Sequence, residues 1–273
     1  MRNADAGKKE ATKAKKHVDG YIILATVALV LFGIIMVYSA SFYTNQLKDE
    51  SPIVTLVKQM VGAGLGFLAM FITSKINYRL YSRPVVVYSL VAVACLLLGL
   101  VLTPLGIEVN AARRWFKIPV INQNFQPSEV AKFALVVFSA YIMTKNRWWF
   151  SSFTKGWLPV IAAIGIFAGL IVIEPNLSTA ICICLIGLTM IVLGGGQGLY
   201  TMLLAAAGFA GGVALMFSAQ YRRSRYLAFL DPFKYKDNES YQLVQSLYAL
   251  GDGGLFGVGL GKSRQKLGNL PFC

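Results

Sequence analysis

PNLSTAICICLIGLTMIVLGGGQGLYTMLLAAAGFAGGVALMFSAQY occupies residues 175–221 and contains no Asp, Glu, Lys or Arg. About 20 consecutive apolar residues carry an α-helix across the hydrocarbon core of a bilayer, so this one run is long enough for two spans. Gly20 to Leu47, Pro84 to Ile107 and Gly156 to Ile173 are also free of charge. These runs define the fold class as all-α, a polytopic membrane helix bundle. A β-barrel does not fit, because barrel strands alternate polar and apolar residues in short segments.

Composition agrees. The chain has 273 residues, of which 56% are hydrophobic and 14% charged, against about 25% charged in soluble domains. Its net charge of +14 would suggest a nucleic-acid partner in a soluble protein. Here Lys and Arg flank apolar spans, and no nucleic-acid partner is expected. Cys95, Cys182 and Cys184 lie within apolar runs, where a thiol acts as a small hydrophobe, and no spacing marks a zinc site. His17 is the only histidine and sits in a basic tail, which argues against histidine-based catalysis. The apolar run from Tyr21 is too long for the core of a signal peptide and is read as a retained first span.

About seven transmembrane helices are expected, near residues 21–41, 53–73, 84–104, 128–144, 157–174, 177–194 and 199–218. Residues 1–19 form a cytoplasmic basic tail, 20–218 the transmembrane bundle, and 219–273 an extracytoplasmic loop segment. Orientation follows from the short-loop cations. Arg2, Lys8, Lys9, Lys13, Lys15 and Lys16, then Lys75, Arg79 and Arg83, then Lys145, Arg147 and Lys155 fall on the side of the N-terminus. They outnumber Lys48, Arg113, Arg114 and Lys117 on the other side. The positive-inside rule then places the N-terminus in the cytoplasm, with Trp148 and Trp149 as inner interfacial anchors. After residue 219 come Arg222, Arg223, Arg225, Lys234, Lys236, Lys262, Arg264 and Lys266. They make the outer surface cationic, which suits an anionic, membrane-bound ligand.

One outer region collects charge. Residues 111–138 read AARRWFKIPVINQNFQPSEVAKFALVVF. Pro127 suits the first turn of a helix, and Glu129 is favoured there by the helix dipole. Lys132 lies one turn further on the same face. Glu129 and Lys132 can be a capped helix with an i,i+3 ion pair. Alternatively they can serve a site, because an ionisable side chain within a membrane helix usually faces a cavity or partner. Arg113, Arg114 and Trp115 can be interfacial anchors, or the arginines can clamp phosphate with their planar forks. Glu174 ends an apolar run without a basic residue in its own loop, so a partner from elsewhere is expected, with Arg113 or Lys132 the candidates. Lys58, alone in the second span, can snorkel to the interface. GDGGLFGVGLGKS, residues 251–263, has Phe256 where a phosphate-binding loop needs glycine and lacks the βαβ context. Just before it, residues 241–250 fit a short helix with one apolar face.

At these residues the chain resembles the SEDS family, the RodA, FtsW and SpoVE proteins of bacterial wall synthesis. The matching pieces are MVYSAS (36–41), ARRWFKIP with FQPSEVAK (112–132), EPNLSTA (174–180) and YQLVQSLYALGDGGLFGVGLGKSRQKLGNLP (241–271). The resemblance implies a lipid II polymerase in the bacterial plasma membrane, a peptidoglycan glycosyltransferase that works beside a class B penicillin-binding protein. The motifs lean toward the division and sporulation branch. Arg113, Arg114, Trp115, Ser128, Glu129, Lys132 and Glu174 are then the expected substrate-binding residues. Cations would meet the pyrophosphate of lipid II and carboxylates would hold them in place. No cofactor is identified, though the pyrophosphate leaves room for a divalent cation. The family's proposed catalytic aspartate follows a Pro-Glu-x-His-Thr-Asp-Phe type segment, expected beyond Cys273 together with about three of about ten helices. The chain is therefore expected to be C-terminally truncated and inactive as it stands. Asp231, Asp237, Glu239 and Asp252 do not match that motif. A precursor flippase and a non-catalytic scaffold for a penicillin-binding protein remain the alternatives.

Overall fold

The computed structural model describes residues 19–47, 51, 53–109, 112–119, 123–145, 153–196, 198–238, 240–259, 261–263 and 265. The seven expected helices all form: α1 (Gly20–Leu47), α2 (Ile53–Lys75), α3 (Pro84–Val101), α4 (Pro127–Lys145), α5 (Leu158–Ile173), α6 (Leu177–Leu193) and α7 (Gly198–Phe217). Two more follow, α8 (Gln220–Leu230) and α9 (Tyr241–Gly253). Between α3 and α4 lies a three-stranded antiparallel sheet: β1 (Ile107–Val109), β2 (Ala112–Ile118) and β3 (Gln123–Phe125), in the order β1-β2-β3. These strands stand where the sequence predicts only a loop between two helices. The fold is all-α with one small sheet between two of its helices. Trp148 and Trp149, read as anchors, lie outside the described residues.

Two compact units divide the chain, one of residues 1–67 and 242–273 and the other of residues 68–241. In the first, α1 is joined to the start of α2 by a reciprocal side-chain pair. Asn45 Nδ2 donates to Thr55 Oγ1 at 2.8 Å, and Thr55 Oγ1 donates to Asn45 Oδ1 at 3.3 Å. Asn45 and Ser41 are buried there, whereas most of α1's apolar side chains are exposed.

The second unit holds the packed core. Four of its helices bury one face each, at helical spacing: Val87, Ala94 and Leu98 on α3; Ala131, Leu135 and Phe138 on α4; Val160, Phe167 and Ile171 on α5; Ala180, Ile183 and Ile191 on α6. Small residues at these contacts let helices approach closely, as is usual where lipid supplies no hydrophobic drive between helices. Gly187 of α6 is the tightest case, because a Cβ there would lie 2.3 Å from Cδ1 of Ile164 on α5. Five described helical segments are long and apolar enough to cross a membrane: Gly20–Tyr43, Ile53–Lys75, Pro84–Val101, Phe153–Ile173 and Gly198–Phe217. α6 is apolar but shorter. α4 carries Glu129, Lys132 and Lys145, yet it packs against α3, α5 and α6. A helix shielded by its neighbours tolerates charge that a lipid-facing helix does not.

Helix ends explain the connections. Asn176 N-caps α6, its side chain accepting from Thr179 N at 3.4 Å and from Thr179 Oγ1 at 2.9 Å. At the other end, Gly196 N donates to Ile191 O and Gly195 N to Val192 O, the paired reversal of a Schellman motif. Gly195 has φ 82°, a left-handed value that glycine adopts without a Cβ penalty. This stop separates α6 from α7 inside a run that carries no charge to mark a boundary.

Candidate functional site

The sheet follows α3 and the Glu174–Asn176 turn follows α5. α4 begins, and α6 begins, at the same end of the bundle. Chain direction therefore gathers β2, the first turns of α4 and the α5–α6 turn at one end of the unit. Every expected site residue lies on these segments.

Arg113 and Arg114 are neighbours on β2, and alternation along a strand sends them to opposite faces. Arg113 faces Glu108 across the β1–β2 register, with Nε 3.3 Å from Glu108 Oε2 and both side chains partly exposed. Arg114 turns toward the bundle. Its Nε donates to the Glu174 backbone carbonyl at 3.1 Å, and Nη2 donates to the Pro175 carbonyl. Two of its five N–H donors are engaged in this way, holding the sheet to the α5–α6 turn. Trp115 is half-buried opposite Ile107, and Lys117 is exposed.

Lys132 Nζ lies 2.8 Å from Glu129 Oε2, an i,i+3 pair in which the lysine is the more shielded partner. Ser128, beside Glu129 in the first turn of α4, is completely buried, and its Oγ has no hydrogen-bond partner among the described residues.

Glu174 is the most unusual group of the site. It is completely buried, and neither carboxyl oxygen has a hydrogen-bond partner among the described residues. Burial pushes its pKa from 4.5 up to about 7, while the positive charge of Arg114 pulls it part of the way down. Desolvation outweighs the single cation because burial penalises only the ionised form. The expected partners, Arg113 or Lys132, are not the residues that approach it. Arg113 is turned to Glu108 by the hairpin register, and Lys132 is held by Glu129 on its own helix. The arginine that does approach is Arg114, which binds the backbone of residues 174 and 175 instead of the carboxylate.

Sequence reasoning missed Glu108. The signal was present in IEV and ARRWFKI, two β-rich pieces flanking a short polar turn, which is a hairpin pattern. Of the carboxylates further along, Asp231 and Asp237 are exposed. Asp252 lines a small cavity with Lys262, Ser263 and Gln265, and Glu239 lies outside the described residues.

Long apolar helices with acids and bases gathered at the sheet end thus define a multi-pass integral membrane protein. The chain belongs to the FtsW/RodA/SpoVE family, described as cell cycle proteins, whose model matches residues 20–273. It is 32% identical over 94% of its length to a "Probable peptidoglycan glycosyltransferase FtsW" of Geobacter sp. strain M18, covering 70% of that protein. It is 33% identical over 95% of its length to the Stage V sporulation protein E of Bacillus subtilis strain 168, again covering 70%. A solved structure described as "Structural coordination of polymerization and crosslinking by a peptidoglycan synthase complex" matches with TM-score 0.57 and 28% identity. That match covers 83% of this chain and 65% of that one. The chain thus spans about two thirds of the length of these relatives.

Proposed function

We propose that the protein is a lipid II polymerase of cell-wall synthesis, with the charged end of the bundle outside the cytoplasm and the N-terminus inside. Arg113, Arg114 and Lys132 receive the pyrophosphate of lipid II. Trp115 borders the same strand, and Glu129 and Glu174 set the local balance of charge. Ser128 adds a buried hydroxyl beside Glu129 at the start of α4. Its partner in the membrane is a class B penicillin-binding protein.

The observation that supports this reading is the one-sided placement of acids: between residues 68 and 218 the sequence has only Glu108, Glu129 and Glu174, all at the sheet end, while Lys75, Arg79, Arg83 and Lys145 at the opposite helix ends have no acid in their own connections. α3, α5 and α6 contain no Asp, Glu, Lys or Arg, while the sheet and the start of α4 hold Glu108, Arg113, Arg114, Lys117, Glu129 and Lys132. A polymerase working at one membrane face needs its ionic groups at that face. A flippase needs a polar route between faces, and the apolar cores of these helices do not offer one. Arg114 already has two donors committed and retains three, so it can anchor the sheet and still present N–H groups to phosphate oxygens.

The test uses proteoliposomes holding a class B penicillin-binding protein and a version of this protein carried to the full length of its relatives. Labelled lipid II should be converted to glycan strands visible on a gel. Movement of lipid II across the bilayer without strand formation would overturn the polymerase reading in favour of transport.

A further inference from the structure

We infer that α8 and the turn after it form a docking surface for anionic phospholipids, holding residues 220–238 flat against the bilayer. α7 is apolar and long enough to cross the membrane and ends at Phe217, and α8 begins at Gln220. The segment therefore starts at the bilayer surface by continuity of the chain. Two contacts fix it there. Arg222 Nη1 donates to the Leu215 carbonyl at 2.9 Å, capping the last turn of α7, and Ser240 Oγ, itself buried, donates to the Ala228 carbonyl at 2.7 Å.

The surface that remains is cationic and aromatic. Arg223, Arg225, Lys234 and Lys236 are exposed, against Asp231 and Asp237 of opposite sign. Among the described residues, none of the four cations forms an ion pair with a side-chain carboxylate. Phe229, Leu230 and Phe233 are 67%, 61% and 56% exposed, a poor arrangement in water and a good one in the headgroup region. Ala228 alone on α8 is buried. Exposed cations and the exposed Phe229 and Leu230 therefore lie on the same short segment, where long basic side chains can extend to headgroups while apolar side chains lie among acyl chains. Lys234 over the ring of Tyr235, 5.8 Å from its centroid, shows the same pairing of cation and aromatic. Phosphodiester headgroups supply the missing negative partners. This surface does not depend on the substrate site proposed above.

Chymotrypsin cleavage of the 273-residue chain in nanodiscs tests the inference. Nanodiscs of phosphatidylcholine alone are compared with nanodiscs containing one third phosphatidylglycerol. Cuts at Phe229 and Phe233 are measured against the cut at Phe256, which is 100% exposed in the same chain. A basic side chain near an anionic surface contributes roughly fivefold in association, so phosphatidylglycerol should slow the two cuts at least about fivefold. Salt at about 0.5 M should abolish the protection by screening. So should the variant R223Q/R225Q/K234Q/K236Q, which leaves the Arg222 cap intact and whose fold is checked by thermal melting. Equal cleavage ratios in the two lipids would overturn the inference. Protection that survives both salt and the four substitutions would do the same.

Discussion

Arg114 on β2 donates from Nε to the backbone carbonyl of Glu174 at 3.1 Å, while the Glu174 carboxyl lies fully buried with no hydrogen-bond partner among the described residues. The arginine thus ties two distant parts of the chain together without neutralising the acid beside it. That combination makes Glu174 responsive to pH.

Glu174 holds its proton to about pH 7 in the folded chain, against 4.5 for a free glutamate. Between these values the folded state binds more protons than the unfolded state, so stability must fall as pH rises, levelling off above about 7. Glu174→Gln should flatten this slope and melt higher than the parent at pH 8. A gain of about 1 kcal/mol corresponds to about 2–4 °C in a chain of this size class. Thermal melts in detergent from pH 5 to 8 make the comparison, and parallel curves for parent and variant would show that the acid is not held neutral.

Gly187 faces Ile164 closely enough that an added Cβ must displace it. Gly187→Ala should destabilise the α5–α6 contact by about 1–3 kcal/mol, the usual cost of overpacking. Ile164→Ala should recover part of that loss when combined with it. A double-mutant cycle on melting temperature reads the coupling, and simple additivity would mean the two helices do not meet at these residues.

The orientation proposed here puts Lys236 outside the cytoplasm. A Lys236→Cys variant, in a background with the native cysteines replaced, should react with a membrane-impermeant maleimide in intact cells. Protection until the cells are broken would reverse the topology.

The helices were legible because a membrane span announces itself by composition alone. Even the boundary inside residues 175–221 fell where Gly195 ends α6. The sheet was not legible. Its strands are short, and ARRWFKI reads as a charge cluster before it reads as an alternating strand. Pairings at the site failed for the same reason. Glu129 with Lys132 is a local i,i+3 pair and could be read from spacing. Arg113 with Glu108 needs the hairpin register, and Arg114 with the turn at Glu174 joins residues sixty positions apart through backbone carbonyls, which no side-chain pattern records.

The central claim is that the charged end of the bundle receives the pyrophosphate of a lipid-linked substrate. Lipid II titrated into nanodiscs holding the protein, with the dissociation constant read by fluorescence, tests it most directly. Charge-assisted hydrogen bonds contribute about 1.5–3 kcal/mol each, so Arg114→Ala and Lys132→Ala should each weaken binding about tenfold or more. Lys155→Ala, on the exposed turn that precedes α5, should leave it unchanged, and inorganic pyrophosphate should compete. Equal losses from all three substitutions, or no loss from any, would contradict the account.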